Sequence, residues 1–289
     1  MSEFYRLDSF ENNKFEPIKP VSQEEFNKVK DSIKSITEFN QQFLIYIYFQ
    51  LNLIEFDKLI NALSNIPVTQ LDINALQSKN QYININRVIF NLLASFKFFI
   101  DSSEAYIKRK FGKKSTEINE FIEKTKYSFD NSFAYRFLSK LRHYSQHIGF
   151  PIHLFPFFAN EDMKSPEKMK GNIKLVVELE ILKKEKELFG RIVYNDLMEL
   201  TTDIDIKPLI YELGDIIFSM EELIYNFHML ELENSIKYLE SIGKEYKTMD
   251  NQLVIIYDIK SDNKYFNFST LLLPFDEIVD IKNFKNWNN

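Results

Sequence analysis

The sequence predicts a mainly α chain: a helical bundle with N-terminal helices and a small C-terminal β-hairpin. Three observations predict it. Apolar residues recur at three- and four-residue spacing over long stretches, above all from Asn84 to Phe111. Turn formers are scarce, with 6 Gly and 8 Pro in 289 residues, which argues against a turn-dense all-β chain. The clearest pair of β-rich runs lies close to the C-terminus, at 253–273. On this basis residues 1–80 form an N-terminal helical region, 81–245 the bundle, and 246–289 the hairpin and tail.

Taken in order, the first 20 residues are polar and interrupted by Pro17 and Pro20, and read as a loose arm. Ser22 followed by Glu25 is a capping box that opens a helix. Phe26, Val29, Ile33, Ile36 and Phe43 mark its apolar face. Phe43–Phe49 is rich in aromatic and β-branched residues, but its length and flanks favour a buried helix over a strand. Leu53–Leu63 reads as a further amphipathic helix that stops near Asn65 and Pro67, and 68–82 as a connector or short extended segment.

The helix at Asn84–Phe111 carries Ile85, Val88, Ile89, Leu92, Leu93, Phe96, Phe99, Ile100 and Ile107 on one side. Gly112 suits its stop, and Lys108, Arg109 and Lys110 complement the dipole of its last turn. Residues 113–127 are polar around Ile118, Phe121 and Ile122. A second strong helix runs from about Asn131 to Ile148 and ends at Gly149 and Pro151. The alternation after Ile173 suits a strand. A long helix follows from Lys207 to about Ile242, with Pro208 in its first turn and Gly243 just past its end. Leu253–Ile259 and Tyr265–Leu273 form the hairpin.

Composition excludes several chemistries. The chain has no Cys, so disulfide frameworks, thiolate metal centres and thiol catalysis are all out. Only His143, His147, His153 and His228 remain for imidazole chemistry. A net charge of −6 disfavours an extended nucleic-acid groove while leaving room for a local basic cleft. The N-terminus lacks the pattern of a secretory signal. The apolar stretch Phe43–Ile54 is short of the ~20 residues of a membrane span. No membrane association is expected, and a cytoplasmic location is.

One segment concentrates chemistry: Arg136 to Pro151, RFLSKLRHYSQHIGFP, with Arg136, Lys140, Arg142, His143, Tyr144, Gln146 and His147 on one helix. At ~100° per residue, Arg142 and His147 point ~140° apart, within reach of one pocket for a long Arg side chain. His143 and His147, four residues apart, share a face. Plainer explanations stand beside a catalytic one. The two His form a metal pair only if further ligands such as Asp101 or Glu104 join them, and no HExxH pattern is present. A buried polar network and simple dipole complementation also fit. Separately, Lys108–Lys114 places five cations in seven residues, a candidate RNA-docking patch or an ordinary solvated helix end.

The spacing Arg142-His143-x-x-x-His147 resembles the R-x4-6-H motif of HEPN domains, where a polar residue often follows the Arg. The stretches NRVIFNLL, FIDSSEAY and YRFLSKLRHYSQHIGFPI also resemble uncharacterised bacterial HEPN-like ribonuclease or toxin proteins, over about residues 80–245. The resemblance implies a HEPN-like bundle and metal-independent RNA cleavage without a cofactor. Arg142 and His147 would be catalytic, with His143 supporting them. On the residues themselves, Arg136, Gln146, Lys108, Arg109 and Lys110 are candidates to bind substrate, and Asp101 and Glu104 either orient His147 or are surface carboxylates. The resemblance further implies a homodimer with a composite site, a toxin or phage-defence role, and an antitoxin or defence-system partner. The alternative is a non-catalytic helical dimerisation or interaction module in which the Arg–His pair is structural.

Overall fold

Two Asn residues in left-handed backbone, Asn12 (φ 50°) and Asn13 (φ 61°), turn the first strand back on itself. Their conformation is that of a two-residue I′ turn, which matches the twist of the strands it joins. A computed structural model describes residues 5–64, 78–160, 170–261 and 266–286. The N-terminal arm is therefore a hairpin, β1 (Tyr5–Glu11) and β2 (Lys14–Val21), rather than loose chain. Pro17 and Pro20 are compatible with it because β2 is an edge strand, where a missing N–H costs no ladder bond.

The chain is mainly α, with eight helices among the described residues and a C-terminal hairpin. The helices are α1 (Gln23–Ser64), α2 (Lys79–Lys110), α3 (Thr116–Asn131), α4 (Phe133–His147), α5 (Leu179–Leu182), α6 (Lys186–Glu199), α7 (Ile206–Tyr246) and α8 (Phe275–Asn286). The remaining strands are β3 (Phe157–Asn160), β4 (Lys170–Ile173), β5 (Val176–Val177), β6 (Ile204–Asp205), β7 (Gln252–Ser261) and β8 (Phe266–Leu272). The chain divides into two compact units, 1–43 with 225–289, and 44–224.

The first unit holds an antiparallel sheet of order β2-β1-β7-β8. The capping box at the start of α1 forms as read: the Ser22 N–H donates to Glu25 Oε2 and the Glu25 N–H donates to Ser22 Oγ. Phe26, Val29, Ile33, Ile36 and Phe39 of α1 are buried, as are Leu253–Ile256 of β7. Phe284 of α8 packs on Phe43 and Tyr225, at centroid distances of 5.4 and 5.9 Å. His228, also buried, lies against Phe39. Gly243 falls inside α7 rather than past its end, and a Cβ there would lie 2.6 Å from the Phe275 ring. It is a close-approach glycine, not a helix stop.

In the second unit, residues 44–64 of α1 are helical, and the polar groups of the apolar stretch are satisfied within the helix. Gln50 donates to Tyr46 Oη and Asn52 to the Tyr48 carbonyl, each at 2.8 Å. Helix α2 is capped by Ser78 and starts earlier than its periodicity indicates. By length and composition α2 is apolar enough to cross a membrane, yet 56% of its most apolar window is buried inside the fold. The polar stretch 113–127, to which the sequence assigns no element, is largely α3, capped by Ser115 with Ile118 and Phe121 inward. After Ile173 the strand is two residues long, and helices α5 and α6 follow. The expected connector 68–82 lies mostly outside the described residues; 79–82 are helical.

Candidate functional site around helix α4

Helix α4 is placed from both ends. Ser132 caps it, accepting the Tyr135 N–H at 3.0 Å while donating to Glu212 Oε1 at 2.6 Å. Ala134, Tyr135, Phe137, Leu138, Leu141 and Tyr144 form its buried face. At the far end, Asn86 of α2 is fully buried and pairs with both backbone groups of Ile152. It accepts the Ile152 N–H at 2.8 Å and donates to the Ile152 carbonyl at 3.3 Å. This clamp fixes the 149–152 loop that ends α4.

What α4 turns outward is its last turn. His143, Gln146 and His147 are exposed and Arg142 is half-buried. The His143 and His147 rings meet edge to face with centroids 4.5 Å apart. Desolvation holds the His143 pKa below its ordinary value, and the nearby charges of His147, Lys140 and Arg142 act in the same direction. Arg142 Nε is shielded from solvent and has no acceptor among the described residues. Arg6, Arg87 and Arg136 each pair with a carboxylate, at 2.6, 2.7 and 2.6 Å. Among the described residues no carboxylate pairs with Arg142 or with Lys140, whose Nζ would lie 3.6 Å from a Cβ at Gly190. A shielded donor without a partner costs about 1–3 kcal/mol, and it makes a ready seat for an anion.

The other sequence candidates separate. Arg136 is engaged by α6: Nε and Nη2 donate to Asp196 at 2.6 and 3.3 Å, and Nη1 reaches the Phe129 and Asp130 carbonyls at 3.4 Å. It staples three elements, so it is not a free phosphate ligand. Helix α2 runs antiparallel to α4, since Asn86 meets Ile152 while Phe96 meets Tyr135 at 5.2 Å. Asp101 acts on Tyr135, whose pKa is raised first by burial and then by that charge. His147 lies twelve residues beyond Tyr135, ~18 Å along the helix. Asp101 and Glu104 therefore do not orient His147; they pair with Lys97 and Lys108 of their own helix. Lys108, Arg109 and Lys110 are farther still, ~33 Å along α2 from Asn86. Within one chain they belong to a different surface from His147. Gln146 stays beside the His pair with its side chain exposed.

Two features that the sequence reading passed over complete the site. His153 accepts the Glu178 N–H on Nδ1 at 2.9 Å, which leaves its proton on Nε2, facing Tyr144 Oη at 3.5 Å. Burial lowers its pKa, and Glu178 and Asp203 oppose that shift. It is an inward, anchoring His. The second feature is an aromatic cluster that includes Phe150, three residues beyond His147 in the chain. Tyr82 packs on Phe150 at 5.6 Å and stacks on Phe155 at 6.3 Å, and Lys174 lies 5.1 Å over Phe158. Phe150 (48%), Leu154 (48%) and Ile148 (51%) stay open to solvent. These residues span more than seventy positions, so only the fold brings them together. The one sequence signal was Asn86, a polar residue on the apolar face of α2.

Among the described residues no three His, Asp or Glu side chains gather as a metal site. No family model matches the chain, and neither a curated protein nor a solved structure matches it.

Proposed function

We propose that this protein is a metal-independent endoribonuclease that cuts RNA by internal 2′-OH attack. The observation that carries the proposal is Arg142, a guanidinium without a carboxylate partner among the described residues, beside two exposed imidazoles. RNA supplies the missing anion. Arg142 clamps the scissile phosphate and offsets the charge that builds in the transition state. One imidazole takes the 2′-OH proton while the O2′–P bond forms; a protonated imidazole gives its proton to the leaving 5′-oxygen as the P–O5′ bond breaks. The products are a 2′,3′-cyclic phosphate and a 5′-hydroxyl. His147 is the principal acid–base group. His143, biased toward its neutral form, supports it as base. The Tyr82–Phe150 surface gives unpaired bases a place to stack next to the phosphate, at about 1–3 kcal/mol per base.

The resemblance to HEPN domains adds a homodimer in which two such turns face each other, acting in the cytoplasm as a toxin or phage-defence effector. The competing proposal is a non-catalytic interaction module, favoured by the exposed apolar side chains around the same turn. The test is to incubate the purified chain with single-stranded RNA in EDTA and to analyse the new ends. Cyclic phosphate ends support the ribonuclease. Intact RNA together with a dimer lost on Phe150→Asp supports the module.

A further inference from the structure

Helix α6 meets two cations of α4 in opposite ways. It gives Arg136 a carboxylate, Asp196, at 2.6 Å. It gives Lys140, one turn on, a glycine: a Cβ on Gly190 would lie 3.6 Å from Lys140 Nζ and 4.0 Å from its Cε. Gly190 has φ 69° and ψ 168°, a conformation that a residue with a side chain adopts only under strain. The bare backbone there leaves room for the half-buried Lys140 stem. Among the described residues no carboxylate pairs with the ammonium. Carboxylates are not scarce, since the chain holds 42 Asp and Glu against 36 Lys and Arg. Lys140 also shares the face of the His pair. At ~100° per residue, Lys140, His143 and His147 fall within ~60° of one another, with Lys140 ~4.5 Å before His143 along the axis. Its charge reaches that ring. After desolvation and the charge of His147, Lys140 is the next cause that holds the His143 pKa down.

We propose that Lys140 binds the phosphate adjacent to the scissile one, so that the site takes a strand with two consecutive phosphates. This rests on the ribonuclease reading of the same turn and deepens it. An ammonium is a compact charge with three donors, and it accepts phosphate oxygens from several directions. The packing of its stem beside Gly190 limits where that charge can go, so less freedom is lost when the phosphate arrives. The contact carries no base information. What it supplies is register: a strand held at the neighbouring phosphate presents the scissile one to the imidazoles in a single place. The anchoring role that spacing offers to Arg136 falls to Lys140, because Asp196 occupies Arg136.

The test uses the full chain and probes that cannot be cut. A 2′-deoxydinucleotide with one phosphate is compared with the same dinucleotide carrying a second phosphate at its 5′ or its 3′ end. Binding is read by NMR from the ring signals of His143 and His147, at one pH, in wild type, Lys140→Gln and Lys140→Arg. One of the two terminal phosphates should tighten binding about tenfold in wild type. Lys140→Arg should keep that gain and Lys140→Gln should lose it at unchanged Tm. A gain that survives in a folded Lys140→Gln overturns the proposal. So does a wild type that gains from neither phosphate, which needs no variant to fold. RNA cleavage in EDTA by the same preparations separates the two readings. Cleavage without a Lys140-dependent gain sinks only the role of Lys140, whereas the gain without cleavage sinks only the ribonuclease.

Discussion

His143 and His147 lie edge to face with ring centroids 4.5 Å apart on the exposed last turn of α4. The charge of His147 opposes protonation of His143. Desolvation first, and then the charge of His147, hold the His143 pKa below its ordinary 6.5, and it is expected to rise in His147→Ala, as read by NMR titration. An unshifted His143 in both proteins would contradict this. The sign for stability follows. A base whose folded pKa is lowered binds fewer protons in the folded state, so its contribution is present above the unfolded value of 6.5 and is lost as pH falls below it through the lower folded pKa. Exposure keeps this effect small. RNA cleavage should also fall on the acid side as the base is protonated.

Arg136 and Arg142 sit six residues apart and are expected to respond oppositely. Arg136→Ala breaks a largely buried pair with Asp196, whose partners are 16% and 24% exposed. The expected loss is about 2 kcal/mol, a drop of several degrees in Tm. Adding Asp196→Ala should cost little more. Arg142→Ala should leave Tm at or slightly above wild type, since it removes an unsatisfied shielded donor. Calorimetry on the four proteins checks the set.

Removing Asn86 tests the clamp under the site. Asn86→Ala leaves the Ile152 N–H and carbonyl without partners in a buried position. About 2–3 kcal/mol of stability should go with them. Hydrogen exchange at the Ile152 amide should quicken more than at Leu92 of the same region. Equal acceleration at both would mean that Asn86 supports the whole bundle and not the loop.

Gly243 gives a prediction whose sign depends on the fold. In a solvent-facing helix interior, Gly→Ala would stabilise by about 1 kcal/mol. Here the new methyl meets the Phe275 ring at 2.6 Å. Gly243→Ala should destabilise by about 1–3 kcal/mol. Phe275→Leu should relieve much of that in the double variant. A more stable Gly243→Ala would show that the ring moves aside freely.

Much of this architecture was legible before the fold was known, and the failures have physical causes. The Ser22–Glu25 box and the apolar face of α2 are local, so spacing alone finds them. The N-terminal hairpin was missed because Pro17 and Pro20 break central strands but not edge ones. Helix α3 was missed because only Ile118, Phe121 and Ser128 of its sixteen residues are buried, too few to print a clear stripe. At the site, the Arg142–His147 spacing was visible. The irrelevance of Asp101 and Glu104 to His147 was not, because it follows from α2 running antiparallel to α4, a tertiary fact. The same topology separates Lys108–Lys110 from the His pair.

The central claim is that Arg142 and His147 act on RNA rather than hold the fold. Its most direct test measures RNA cleavage in EDTA and thermal melting on the same preparations of wild type, Arg142→Ala, His147→Ala and Arg136→Ala. The account predicts cyclic phosphate ends from wild type, none from Arg142→Ala or His147→Ala at unchanged Tm, and a lowered Tm with residual cleavage in Arg136→Ala. Cleavage that survives in Arg142→Ala and His147→Ala, or activity lost only together with Tm, would contradict it.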